Sequence, residues 1–437
     1  VDENFISKKL FYLFWTLIIT YLLLLLIGPR VPDNLQKEYC VRNFEINSYL
    51  GHSMNCDSAD WMLNASDPSR LLDEESIRQP RPGLITTVHI VTYPLDFIFK
   101  IFGFFGDYPK KTEINLNYDQ TEILYEKFHP RLIYLSYALV NFFIIILILK
   151  LAFEIFNLSI FKFRDYQQIT AWLLIFLVFN NITNQFFWSP STKLFNLLCG
   201  VFTIKYIIRI VEEKINHREL LIIFLVLGVS LLFYGVFIVS YSCLLFFYFF
   251  KNYKEDPLRS LSYILMFSVI FISPFLIWYA YIQSINSDFY FQVFREHNSV
   301  IWFIDLILKK EFGNAMLKFY DNSSFFISGF IKQYWFLILL FFTNISIFFK
   351  NINFSIKNSV VLASLFYFFI YTIFFSLVGY LPLNISAGLI VPILIIFIFI
   401  IKQNYKNCLR KKTFIITNAF TFFVFCIWSI QKFGPYS

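Results

Sequence analysis

The chain has 437 residues, 58% hydrophobic and 15% charged, with 60 Phe and a net charge of +8. A soluble domain this apolar would expose patches that aggregate, so composition excludes a soluble globular protein. The positive charge does not indicate nucleic acid: Lys and Arg gather in short connections between apolar runs, and no segment interleaves aromatic with basic residues as a recognition surface does.

In chain order, the first apolar run is Leu10–Ile27, after Lys8 and Lys9. Gly28-Pro29-Arg30 follows it where a signal peptide would have a small-residue cleavage site, so it reads as a retained first helix. Further spans are expected at 132–150, 169–187, 194–211, 219–233, 236–250, 261–281, 333–349, 358–378, 387–401 and 413–431. The run 219–250 would make a single helix of about 48 Å, too long for one crossing, and Tyr234-Gly235 is its natural turn. The stretch 84–106 is apolar but carries His89, Pro94, Asp96 and Lys100. If it does not cross and the N-terminus is cytoplasmic, the cytoplasmic connections hold Lys205, Arg209, Lys251, Arg259, Lys402, Lys411, Lys412 and their neighbours, while the short outer ones hold only Lys193 and Lys432. If it crosses, every later loop violates the positive-inside rule, so 84–106 is placed along the outer interface. The expected fold is an all-α polytopic membrane protein of about 11 transmembrane helices with two long extracytoplasmic segments, 28–131 and 282–332. The chain divides into 1–281, 282–332 and 333–437.

The first outer segment contains "CDSADWMLNASDPSRLL", Cys56–Leu72. Trp61, Leu63, Ala65, Leu71 and Leu72 alternate with polar residues, an amphipathic pattern broken at Asp67-Pro68 that suits a helix at the membrane surface. Asp57 would stand at its N-terminus, as a helix cap or as a functional carboxylate. "RQPRPG", Arg78–Gly83, offers two guanidinium forks suited to phosphate, or headgroup anchors that snorkel. His129 and Arg131 sit at the mouth of the second span, where an anion site and an interfacial anchor both remain open. Asn180, Asn181, Asn184 and Gln185, followed by Trp188 and Lys193, line either a cavity or a helix contact. In the second outer segment, "FREHNS" (residues 294–299), Asp288 and Asp305 read as a solvated face. Cys199, Cys243 and Cys426 lie in apolar runs and Cys408 in a basic loop, while Cys40 and Cys56 share the first outer segment as a disulfide or as two thiols. There is no phosphate-binding glycine loop and no His-rich metal pattern, and the spans lack the buried ionisable residues of a proton-coupled pump.

This layout resembles the GT-C glycosyltransferases, which include protein O-mannosyltransferases, aminoarabinose transferases and the oligosaccharyltransferase catalytic subunit. In several of these families the first outer loop carries an acid, an aromatic four residues later and a small residue four after that; Asp57, Trp61 and Ala65 have those spacings. A basic residue followed by proline then precedes an apolar interfacial helix, as Arg81-Pro82 does. The chain departs from the family's Asp-Glu pair, since Ser58 follows Asp57 and the second acid is Asp60. The resemblance implies sugar transfer from a polyprenyl-phosphate donor to a glycan, lipid or protein acceptor on the extracytoplasmic side of a bacterial inner membrane. It implies Asp57 and Asp60 as the catalytic acids, Arg78, Arg81, His129 and Arg131 as donor-phosphate ligands, and Trp61, Gln79, Asn184 and Lys193 as cavity residues. No cofactor is required by these residues, and a divalent metal stays open. Membrane lipids are expected partners and nucleic acid is not. A lipid-linked oligosaccharide flippase, with cations inside the bundle, and an O-antigen-type polymerase, with its signal in later loops, are the rival readings.

Overall fold

The computed structural model describes residues 3–26, 31–36, 41–45, 50–55, 57–74, 76–103, 112–116, 121–125, 127–156, 174, 176–253, 256–285, 288–291, 299–348, 358–379, 383–403, 416, 420–421 and 423–424. The chain opens with α1 (Glu3–Leu24), then a hairpin β1 (Val41–Glu45) and β2 (Gly51–Asn55), then α2 (Asp57–Ser66) and α3 (Pro82–Ile101). A second hairpin, β3 (Thr112–Leu116) and β4 (Thr121–Tyr125), leads to α4 (Pro130–Ile155). There follow α5 (Asn181–Phe186), α6 (Phe195–Val211), α7 (His217–Leu231), α8 (Phe237–Asn252), α9 (Pro257–Ser284), α10 (Ile301–Leu308), α11 (Phe312–Phe348), α12 (Ser359–Val378) and α13 (Ile390–Gln403).

Among the described residues six helical stretches are long and apolar enough to cross a membrane: Pro82–Ile101, Pro130–Ile155, Pro257–Ser284, Phe312–Thr343, Ser359–Val378 and Ile385–Gln403. Trp15–Leu24 and Phe237–Asn252 are shorter apolar helices. The chain is therefore a helical membrane protein. Helices underlie nine of the expected spans, with the turn between α7 and α8 at Tyr234-Gly235 as the sequence predicts. The span expected at 169–187 is described only in part, and 413–431 falls almost wholly outside the described residues, as do Cys40, Cys56, Cys408, Cys426 and residues 292–298.

Three features depart from the sequence reading. The fold is not purely helical, because the segment 28–131 carries two antiparallel hairpins, paired Val41↔Asn55 to Glu45↔Gly51 and Thr112↔Tyr125 to Leu116↔Thr121. Helix α11 begins 21 residues before the expected start at 333, because Asn322 and Ser323 find partners on α12: Asn322 Nδ2 donates to Ser376 O at 3.0 Å and Ser323 Oγ to Ser376 Oγ at 2.8 Å. Finally, α3, expected along the interface, meets the length and apolarity of a crossing helix, while Ile90, Phe97, Ile98 and Ile101 remain exposed on it.

At the centre, α6 packs against α4, α8, α12 and α13. Tyr134, Tyr137, Tyr367 and Tyr371 are fully buried there. At the end opposite α2, ion pairs Lys205–Glu154 and Arg209–Glu219 sit among the basic connections. Helices α7 and α9 approach closely at Gly228, where a Cβ would lie 2.3 Å from Phe271 O. Pro274 in α9 cannot donate to Ile270 O, and Ser273 Oγ donates to that carbonyl instead at 3.0 Å. Gly228→Ala must push the two helices apart. It is expected to cost about 1–3 kcal/mol, read as a lower melting temperature in detergent, and an unchanged melting temperature would show that the contact is slack.

Candidate functional site

The site is built on the first turn of α2. Asp57 and Asp60 lie three residues apart, on one face of the helix. Asp67 ends the helix locally by accepting from Ser69 N at 3.1 Å, with Pro68 opening the next turn, and the Ser69 hydroxyl, which donates to the same carboxylate at 2.6 Å, holds it below the usual range. α2 is more enclosed than its pattern suggests: Ser58, Ala59, Trp61, Met62, Asn64, Ala65 and Ser66 are all buried. It packs on α3 and α4, and Tyr137 Oη donates to Trp61 O at 2.9 Å.

Arg78 is the pivot. Its side chain is only 3% exposed, Nε meets Asp60 Oδ2 at 2.5 Å and Nη2 lies 3.6 Å from Asp57 Oδ1. Nη2 is buried and makes no hydrogen bond. The guanidinium stacks over Trp61 at 4.7 Å. A buried guanidinium needs a compensating charge, and Asp60 supplies it. Asn64 Nδ2 donates to the other Asp60 oxygen, Oδ1, at 3.0 Å, so both Asp60 oxygens are engaged. Asp57 differs, with its side chain 64% exposed against 38% for Asp60. The two acids thus have separate roles open to them: Asp60 orients Arg78, and Asp57 presents a carboxylate to whatever approaches.

Two more cations face this pair. Arg81 immediately precedes α3, opened by Pro82, and its guanidinium lies 5.9 Å from the Tyr234 ring. Lys193 belongs to the loop between α5 and α6. Burial, followed by the neighbouring Arg81 charge, lowers its ammonium pKa to about 8, with Asp57 opposing and Arg78 adding to the shift. That loop is held on both sides. Ser58 Oγ donates to Pro190 O at 3.3 Å, Asn196 Nδ2 to Lys193 O at 2.9 Å, and Tyr371 Oη to Asn196 Oδ1 at 2.9 Å.

The structure therefore brings Asp57, Asp60, Trp61, Arg78, Arg81 and Lys193 to one place. Trp61 is 3% exposed and is the platform beneath Arg78. Gln79 is fully buried and acts as a staple: Nε2 donates to Asp73 O at 2.9 Å, Oε1 accepts from Tyr290 N at 2.7 Å, and its carbonyl accepts from Trp278 Nε1 at 2.8 Å. These bonds join the turn before α3 to the end of α9 and the chain after it. Asn184 is buried in α5, nine residues before Lys193. His129 caps α4 by accepting from Arg131 N at 3.2 Å, and burial followed by the Arg131 charge lowers its pKa. Both belong to the head of α4 rather than to the first turn of α2. Asn64, Asn196, Tyr234 and Tyr371 were not singled out by sequence. Only Asn64, four residues after Asp60, carries a local signal.

No protein-family model matches the chain, and no curated protein matches it. The site stands on its own geometry. Its donor set does not suit a divalent metal, because a guanidinium occupies the space between the two carboxylates and Asp60 has both oxygens engaged. Among the described residues no three His, Cys, Asp or Glu side chains gather.

The Arg78–Asp60 coupling is measurable. Arg78→Ala and Asp60→Asn should each lower stability, and the double variant should lose less than their sum by about 1–3 kcal/mol, discounted toward 1 because Asp60 is partly solvated. Simple additivity in detergent melts would show that the pair is not coupled.

Proposed function

We propose that the chain is a membrane glycosyltransferase that moves a sugar from a polyprenyl-phosphate donor to an acceptor on the extracytoplasmic side. The observation that carries this reading is the exposed Asp57 carboxylate beside a group of cations, of which Arg78 is compensated by Asp60 while Arg81 and Lys193 face the same place. Asp57 takes the proton of an acceptor hydroxyl as its oxygen bonds to the anomeric carbon. The bond from that carbon to the phosphate oxygen breaks, and the electron pair leaves with the lipid phosphate. Arg81 and Lys193 stabilise the charge that grows there, helped by the Nη2 edge of Arg78. Asp60 keeps Arg78 in place and does not touch the reacting atoms.

The resemblance to GT-C enzymes in the acid, aromatic and small-residue spacing of α2 supports the same assignment. So does the position of the cations in outer connections rather than along a central cavity, where a flippase would be expected to hold them.

The test uses purified protein in liposomes with a labelled polyprenyl-phosphate sugar and a hydroxyl acceptor extract. Asp57→Asn is expected to lower transfer by about 100-fold or more, while binding of decyl phosphate is retained. Full turnover by this variant removes Asp57 from the mechanism, and movement of the lipid across the bilayer without transfer would favour a flippase. Lys193 adds a pH signature. It is cationic below its pKa of about 8 and neutral above it, so decyl phosphate affinity should fall as pH rises through 8, by up to about tenfold per pH unit. Lys193→Arg, which stays charged, should abolish that fall, and an identical profile in the variant would exclude Lys193 as a ligand.

A further inference from the structure

Helix α11 runs for 37 residues in two arms that meet at Tyr334, about 55 Å of helix in all, against a hydrocarbon core of about 30 Å. Its neighbour α12 has 20 residues, which matches that core. The two are registered at one end, where Ser323 meets Ser376 at 2.8 Å. Residues 312–320 therefore lie beyond the level at which α12 ends, on the side of the acidic helix α2. Helix α10 packs on this overhang, and Trp302 ties it down by donating from Nε1 to Leu377 O at 2.9 Å, with Lys318 over its ring at 4.8 Å.

The overhang is apolar where water would be expected. Leu317 and Tyr320 are 62% and 68% exposed, and they begin a stripe that continues through Ile331, Trp335, Leu339 and Phe342, all exposed. Spacings of 3 and 11 keep Leu317, Tyr320 and Ile331 on one helix face, and spacings of 4 and 3 do the same for Trp335, Leu339 and Phe342 beyond the break at Tyr334. The lower half of that stripe belongs to a helix long and apolar enough to cross a membrane, and the upper half joins it across an interval shared by Ser324, Ile327 and Ser328. Around the connection 309–311, Leu308 is 74% and Phe312 56% exposed. Tyr334, with φ −122° and ψ 23°, interrupts α11 and permits its upper arm to lean. Six charged residues accompany the patch, namely Asp305, Lys309, Lys310, Glu311, Lys318 and Asp321, three of each sign. That balance fits a zwitterionic headgroup layer and does not require an anionic one.

We infer that the α10–α11 elbow is a membrane-surface wedge: it lies in the headgroup region of the leaflet on the α2 side, with Leu308, Phe312 and Leu317 in the acyl boundary and Lys309 and Lys310 in water. The occupant of the patch is lipid, because the patch lies on the same membrane-length apolar helix as the exposed residues 331–342 and carries no net charge that would select another partner. An interfacial helix of this kind is held by buried apolar area. The wedge is independent of the reaction assigned to Asp57.

Spin labels on Leu308→Cys, Phe312→Cys, Leu317→Cys, Lys310→Cys and Leu339→Cys, in the full chain reconstituted into phosphatidylcholine liposomes, test it after subtraction of the unsubstituted protein's signal. The ratio of collisions with oxygen to collisions with a water-soluble nickel chelate should be high at 308, 312 and 317, in the range found at 339 within the span, and low at 310. A low ratio at 308 and 312 places the elbow in water and overturns the inference. Protection from both reagents also overturns it, since protein rather than lipid would then cover the patch.

Discussion

A guanidinium removed from water among apolar side chains must be compensated, and in this protein Asp60 does so for Arg78 at 2.5 Å. Much of this end of the molecule follows from that pair. It pins the turn before α3 to the first turn of α2. It places Trp61 under the guanidinium plane at 4.7 Å. It also draws in both neighbouring carboxylates, Asp60 at 2.5 Å and the more exposed Asp57 at 3.6 Å. A lone acid at a helix start is an ordinary cap. An acid three residues before an engaged one, with Arg81 and Lys193 within electrostatic reach, is an arrangement that can separate a proton from a hydroxyl and hold an anion at the same time.

The pair does not act in isolation, because remote elements brace its surroundings. Gln79 follows Arg78 directly and has its amide oxygen on Tyr290 N and its carbonyl on Trp278, so the end of α9 and the chain after it rest on the turn before α3. On the other side, Asn196 and Tyr371 fix the loop that carries Lys193. Three distant parts of the sequence thus set the geometry of one small site, as expected where charges must be held at fixed positions near a membrane edge.

The legible part of the chain is the part governed by local physics. Apolar runs become helices, the over-long run turns at Tyr234-Gly235, and α2 stops where Asp67 and Pro68 cap and reopen the chain. The acids and arginines of the site were visible because charged residues stand out in so apolar a sequence. The roles within the set were not visible. Gln79 looked like a cavity residue, but its amide is consumed by Asp73 and Tyr290, the second of which lies 211 residues away. Asn196 and Tyr371 are 175 residues apart and carry no mutual signal in the sequence. The overhang of α11 falls in the long segment 282–332 rather than in the span expected from 333, while the structure satisfies Asn322 and Ser323 on α12.

Which side of the membrane holds the acid and its cations decides the whole reading. Glu74 is exposed in the turn after α2, so Glu74→Cys reports the side directly through a membrane-impermeant maleimide applied to right-side-out and inverted vesicles. Labelling in right-side-out vesicles is expected, with protection in inverted ones. Labelling confined to inverted vesicles would put Asp57 in the cytoplasm, away from any extracytoplasmic acceptor, and contradict the assignment.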